Sequence, residues 1–160
     1  MKSPLTLLLA AALALPVAAF AATPASHDHG GAAPHQLELN AGKKWAIDAP
    51  LRKAMVAVQK AVQRTLPAAH AGTATAADYD ALGAQVTAQV AYIVENCKLD
   101  PKADEQLHAV IADLMGGVEA VQGKEGDSHR ASGVVKMAQT LNTYGRYFDH
   151  AGWKSTPLPH

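Results

Sequence analysis

Residues 79–107, YDALGAQVTAQVAYIVENCKLDPKADEQL, contain one helix and the start of the next, and they decide the fold. Apolar side chains recur there at intervals of three and four residues, which predicts an amphipathic helix; they are Tyr79, Leu82, Val86, Val90 and Ile93. Asp100-Pro101 then begins a second helix, because aspartate caps a helix and proline is tolerated in its first turn. The stretch therefore predicts a helical hairpin.

Similar apolar stripes before and after this hairpin predict two more helices. The four expected helices are approximately 49–66, 76–97, 101–122 and 128–149, and their expected N-caps are Asp48, Thr75, Asp100 and either Asp127 or Ser128. Pro67 and Gly72 are expected to end the first. Gly116-Gly117 inside the third predicts a kink or a close approach of helices. Because the connections are short, the predicted fold class is all-α, an up-down-up-down antiparallel four-helix bundle.

The N-terminal residues have the composition of a targeting segment. Lys2 precedes an apolar run, and Ala19-Phe20-Ala21 fits the small-x-small rule for cleavage. We expect residues 1–21 to be a signal peptide, 22–44 a flexible arm, 45–153 the bundle and 154–160 a tail. The type of signal points to the bacterial periplasm.

Composition and motifs exclude several classes of function. The chain of 160 residues has 14 Lys and Arg, 14 Asp and Glu, and one Cys. Its zero net charge gives no indication of nucleic-acid binding, and one Cys excludes a multi-cysteine metal site. After cleavage of the signal peptide, no apolar run is long enough for membrane insertion. No nucleophile–base motif or phosphate-binding loop is present, which argues against an enzyme. The sequence identifies no protein partner.

The candidate metal site lies at one end of the predicted bundle. Cys97, Met55 and His108 carry the donor atoms that soft and borderline transition metals prefer, and copper is the predicted ion. Helix rise separates Cys97 from His108 by about 9 Å in depth, which opposes direct coordination of one ion by both. Each residue also has an ordinary alternative: an inert core thiol, a gap-filling thioether and a boundary imidazole.

The predicted arm adds His27, His29 and His35, which form an accessory metal-binding segment in the same hypothesis. The protein would then serve in copper storage, transfer or stress protection.

Two alternatives stay open. Met55 and His150 stand where a non-covalent b-type haem would take axial ligands, although His150 also suits the negative end of a helix dipole. The second alternative is a structural or interaction module without a cofactor.

Several segments resemble a known group of proteins. Residues 93–99 (IVENCKL) and 103–108 (ADEQLH) resemble a helix-hairpin signature of small exported bacterial four-helix proteins. Residues 39–45 (LNAGKKW), followed by Asp48 and Leu51-Arg52, and residues 144–150 (YGRYFDH) are similar to DnrO-like proteins of this kind, over roughly 39–153. This resemblance implies a periplasmic bundle. Met55 and His150 give a second resemblance, to b-type cytochrome bundles, which implies haem.

Overall fold

Four α-helices make up most of the chain that the structure describes, which is residues 36–158 of a computed structural model. They are α1 (Ala49–His70), α2 (Ala76–Asn96), α3 (Pro101–Val121) and α4 (Arg130–Tyr147). A 3-10 turn at Asp127–His129 precedes α4. The prediction of an all-helical chain with four helices is confirmed for this range.

The first three helices begin at the predicted caps. Asp48 accepts a hydrogen bond from the Leu51 backbone N–H at 2.9 Å. Thr75 and Asp78 form a reciprocal capping box at the start of α2. Asp100 accepts from the Lys102 backbone N–H at 2.9 Å. These caps satisfy N–H groups that have no partner inside the helix, and so they fix where each helix begins.

The prediction that Pro67 ends the first helix was wrong, because α1 continues to His70. Proline in the last turn removes a single helical hydrogen bond. Leu66 and Ala69 on either side of it are buried in the core, so packing of this turn outweighs that loss. The helix ends just before Gly72, whose φ of +68° few other residues adopt.

The start of α4 also differs from the prediction. Neither Asp127 nor Ser128 caps α4; both belong to the 3-10 turn, and α4 begins at Arg130. The Arg130 guanidinium joins the surrounding elements, since it donates to Asp127, to Asp80 and to the Val121 carbonyl, each at 2.8 Å. This residue therefore holds the start of α4 against α2 and the end of α3.

Each helix packs against two others: α1 and α3 both contact α2 and α4. The closest approach is between α3 and α4 at two glycines. A Cβ atom on Gly117 would lie 2.4 Å from Met137 Cγ, and one on Gly133 would lie 2.8 Å from Ala120 Cβ. The predicted close approach is confirmed at Gly117.

The segments before α1 and after α4 both pack against the helices, and the C-terminal one is hydrogen-bonded to Gln63 of α1 and Asn142 of α4. Trp45 pairs with the chain after α4, through hydrogen bonds to the Tyr147 carbonyl and from the Asp149 N–H, both 2.8 Å. This pairing ends α4 before the predicted Asp149. Contacts between the N-terminal segment and α3 begin at Glu38, whose N–H donates to Gln106, within the range 22–44 expected to form the arm.

Within residues 36–158, no helix has both the length and the hydropathy that crossing a membrane requires.

Candidate functional site

Asp48 links the start of α1 to the turn between α2 and α3. One carboxylate oxygen caps α1, and the other accepts a hydrogen bond from the Lys98 backbone N–H at 2.7 Å. The two elements are 50 residues apart in sequence. Asp48 therefore fixes the position of the residue before Lys98, which is Cys97.

Cys97 is the residue after the last turn of α2, which ends at Asn96, one residue before the predicted boundary. Its N–H donates to the Ile93 carbonyl at 2.9 Å, and its side chain is half-buried. Burial raises the pKa of the Cys97 thiol to about 12, and the carboxylates of Asp48 and Asp104 contribute to this increase. The thiol is therefore protonated at neutral pH, and a bound cation would have to displace its proton.

Asp104 and His108 form a pair one turn apart on α3. The His108 Nδ1 atom lies 2.8 Å from the Asp104 carbonyl and 3.6 Å from the Asp104 carboxylate. The His108 side chain is 72% exposed, and the Asp104 side chain is 49% exposed. They line an open surface cleft of about 750 Å³ together with Glu105 and small residues of α3. The Asp104 carboxylate also contributes to the raised pKa of Cys97, as the smallest of its causes.

Met55 has a different environment from His108. Its side chain has no exposed surface and belongs to the hydrophobic core. The structure therefore places the thioether inside the protein and the imidazole outside it. Coordination of one ion by Met55 and His108 stays a prediction that needs a rearrangement of the core.

His150 lies in an aromatic cluster just after the end of α4, beside Tyr144 and Trp153. Its Nδ1 atom is 2.9 Å from the buried Tyr144 hydroxyl, and its ring centroid is 4.7 Å from that of Trp153. Burial lowers the pKa of His150, and the Arg52 guanidinium lowers it further. Trp153 packs against the same cluster, with its ring centroid 4.9 Å from that of Tyr144. His150 is thus neutral and has a structural hydrogen bond.

The remaining predicted donors cannot be placed. His27, His29, His35 and the signal peptide lie outside the described residues. Across residues 36–158, no group of three or more His, Cys, Asp or Glu side chains is arranged to hold a metal ion. Any site at Cys97, Asp104 and His108 must therefore form by movement of side chains.

Two residues at this corner were missed as site residues by the sequence analysis. Asp104 is not among the predicted donors, although its spacing of four from His108 places both on one side of α3. Asp48 had been recognised only as a cap. Its second contact, to Lys98, depends on tertiary packing, and no pattern in the sequence indicates it.

Comparisons of the chain with protein-family models, with curated proteins and with solved structures find no match.

Proposed function

We propose that this chain is an exported protein that binds a transition-metal ion, copper in the first instance, at the corner between α2 and α3. The donors would be the Cys97 thiolate, the His108 imidazole and the Asp104 carboxylate. One observation carries the proposal: in the first turn of α3 the Asp104 carboxylate lies 3.6 Å from the His108 Nδ1 atom, and Cys97 lies at the end of the preceding helix. Sulfur, nitrogen and oxygen donors together suit copper and zinc.

The exposure of the pair explains how a site forms from the arrangement described above. Within residues 36–158, the His108 imidazole is bonded only to its own helix, so it can rotate without disturbing the core, and the movement that the site requires is one that closes the depth of about 9 Å between His108 and Cys97. The Asp104 carboxylate already lies beside the imidazole. Because the metal replaces the thiol proton, binding releases protons to solvent.

The helical topology belongs to the same proposal. The four helices are joined by short turns, and each contacts two others, which supports an up-down-up-down antiparallel bundle. Such a bundle places the end of α2 and the start of α3 at one end. The predicted signal peptide and periplasmic address, and the membership of the DnrO-like group, are part of this proposal.

A titration with copper(I) under anaerobic conditions, in the presence of a competing chelator, tests the proposed site. The background is the chain with His27, His29 and His35 changed to Ala, so that the arm does not contribute. We expect one tightly bound equivalent, which is lost in both Cys97→Ala and His108→Ala. The matched control is His70→Ala, an exposed histidine at the end of α1. Unchanged stoichiometry in Cys97→Ala would contradict the proposal.

A module without a cofactor is the second candidate, and the core itself favours it. Met55 is completely buried, and His150 is bonded to Tyr144, so each residue already has a structural role. The same two observations weigh against haem, since axial ligation would require both side chains to leave these contacts. The absence of a Soret shift after haem addition, with no metal retained in the titration, would favour the module.

A further inference from the structure

The zero net charge of the chain conceals a strong segregation of charge among its helices. Together α1 and α4 carry seven Lys and Arg residues and no Asp or Glu. By contrast, α2 and α3 carry seven Asp and Glu residues and a single Lys. Since α1 contacts α4 and α2 contacts α3, the helical part has a basic half and an acidic half.

The basic charges on α1 are exposed and share one face. Lys53, Lys60 and Arg64 are spaced at intervals of seven and four residues, which places them in a stripe about 16 Å long. Among the described residues, none of the three forms a salt bridge. Their neighbours on α2 are uncharged: Lys53 lies over the Tyr92 ring, and Arg64 donates to Gln85.

The acidic half presents a complementary face on α3. Glu105 and Asp113 are exposed, eight residues apart and on one side of the helix, with a separation of about 12 Å along its axis. Neither forms a salt bridge within residues 36–158. The separation resembles that of Lys53 and Lys60, which is about 10 Å by the same helix rise.

We propose that the basic half of one copy of this chain associates with the acidic half of another. A contact of this kind is heterologous, because the two surfaces differ, and it extends from copy to copy instead of closing as a two-fold dimer. A net charge of zero removes the general repulsion that would otherwise oppose it. The partner is a second copy because both complementary surfaces belong to the same molecule.

The contact is weak and depends on salt. Exposed ion pairs contribute about 0–1 kcal/mol each, so association needs high protein concentration. Screening shortens the range of the attraction from about 30 Å at 0.01 M salt to about 3 Å at 1 M. We expect the apparent molar mass, from sedimentation equilibrium of the full chain without added metal, to exceed that of the monomer at low salt only.

Charge reversal on each surface provides the decisive test. Lys60→Glu with Arg64→Glu, and Glu105→Lys with Asp113→Lys, should each abolish association of the variant with itself. A mixture of the two double variants should associate more strongly than the wild type. Lys43→Glu with Lys124→Glu is the control, since it changes the formal charge equally at two exposed loop positions. Circular dichroism of each variant confirms that the helices are retained.

Three results would overturn this proposal. The first is a wild-type chain that is monomeric at low salt, as expected if the basic half serves an anionic partner other than this chain. The second is equal loss of association in the control and in the α1 variant, which would show that only net charge matters. The third is a mixture of the two double variants that remains monomeric.

Discussion

At the residue scale, the protonation states of Cys97 and His150 follow from burial. The thiol pKa is raised to about 12, and the imidazole pKa is lowered. Both groups are therefore neutral near pH 7. Neutral groups suit a packed helix end, because they avoid placing an unpaired charge among apolar side chains.

The raised pKa of Cys97 predicts a pH-dependent metal affinity. One thiol proton must leave for each ion bound, so affinity should rise about tenfold for each pH unit across the neutral range. Competition titrations at several pH values measure this slope. A histidine-only site would instead lose its pH dependence above the ordinary pKa of imidazole.

The lowered pKa of His150 predicts a loss of stability in mild acid. The unfolded chain takes up a proton on this imidazole near its ordinary pKa of 6.5, whereas the folded chain does so only at lower pH. The free energy of unfolding should therefore decrease as the pH falls below about 6.5, until the folded-state pKa is reached. Urea unfolding across this range, with His150→Asn as the comparison, measures the effect. An identical pH dependence in the two proteins would contradict this assignment.

At the element scale, the paired glycines of α3 have opposite roles. A methyl group on Gly117 would meet Met137 Cγ at 2.4 Å and the Gly133 carbonyl at 3.2 Å. A methyl group on Gly116 would meet only the flexible end of Lys136, at 2.7 Å from Nζ. Met137 is held by the packing of α4, whereas the end of the Lys136 side chain can move away.

Alanine at each position should consequently have effects of opposite sign. Gly117→Ala should destabilise the fold by about 1–3 kcal/mol through overpacking. Gly116→Ala should leave stability unchanged or raise it by up to about 1 kcal/mol, because alanine is the better helix former. Chemical denaturation of both variants tests this pair. Equal destabilisation would mean that α3 and α4 are not in the close contact described.

Local signals explain which parts of the helices could be predicted. The caps at Asp48, Thr75 and Asp100 depend on neighbouring residues only, and the structure has them where expected. The end of α1 and the start of α4 depend on distant contacts: core packing around Pro67 and the ion pair from Arg130 to Asp80. No stretch of local sequence contains those interactions.

The candidate site also combines features that local sequence predicts with features that depend on tertiary contacts. Helix rise separates Cys97 from His108 in depth, and the spacing of four between Asp104 and His108 is the signal that places this carboxylate beside the imidazole. The periodic pattern placed Met55 on the core stripe, and its complete burial agrees with that placement. Which of these residues bind a ligand depends on movements that neither periodicity nor packing specifies.

At the scale of the whole molecule, the proposed metal corner and the charged halves are separate features. The corner depends on Cys97, Asp104 and His108, whereas self-association depends on exposed charges along α1 and α3. The α1 variant should leave the metal corner intact, whereas Glu105 lines the same cleft as Asp104 and His108, so the α3 variant also changes the charge beside that corner. Failure of the charge-reversal test in the α1 variant would not bear on the metal site.

X-ray absorption at the metal edge tests the central claim most directly. The sample is the chain with the three arm histidines changed to Ala, loaded with one equivalent of zinc as the probe. The account predicts one sulfur scatterer at about 2.3 Å, with nitrogen and oxygen at about 2.0–2.2 Å, and loss of the sulfur in Cys97→Ala. A first shell of nitrogen and oxygen alone in the protein that retains Cys97 would contradict it.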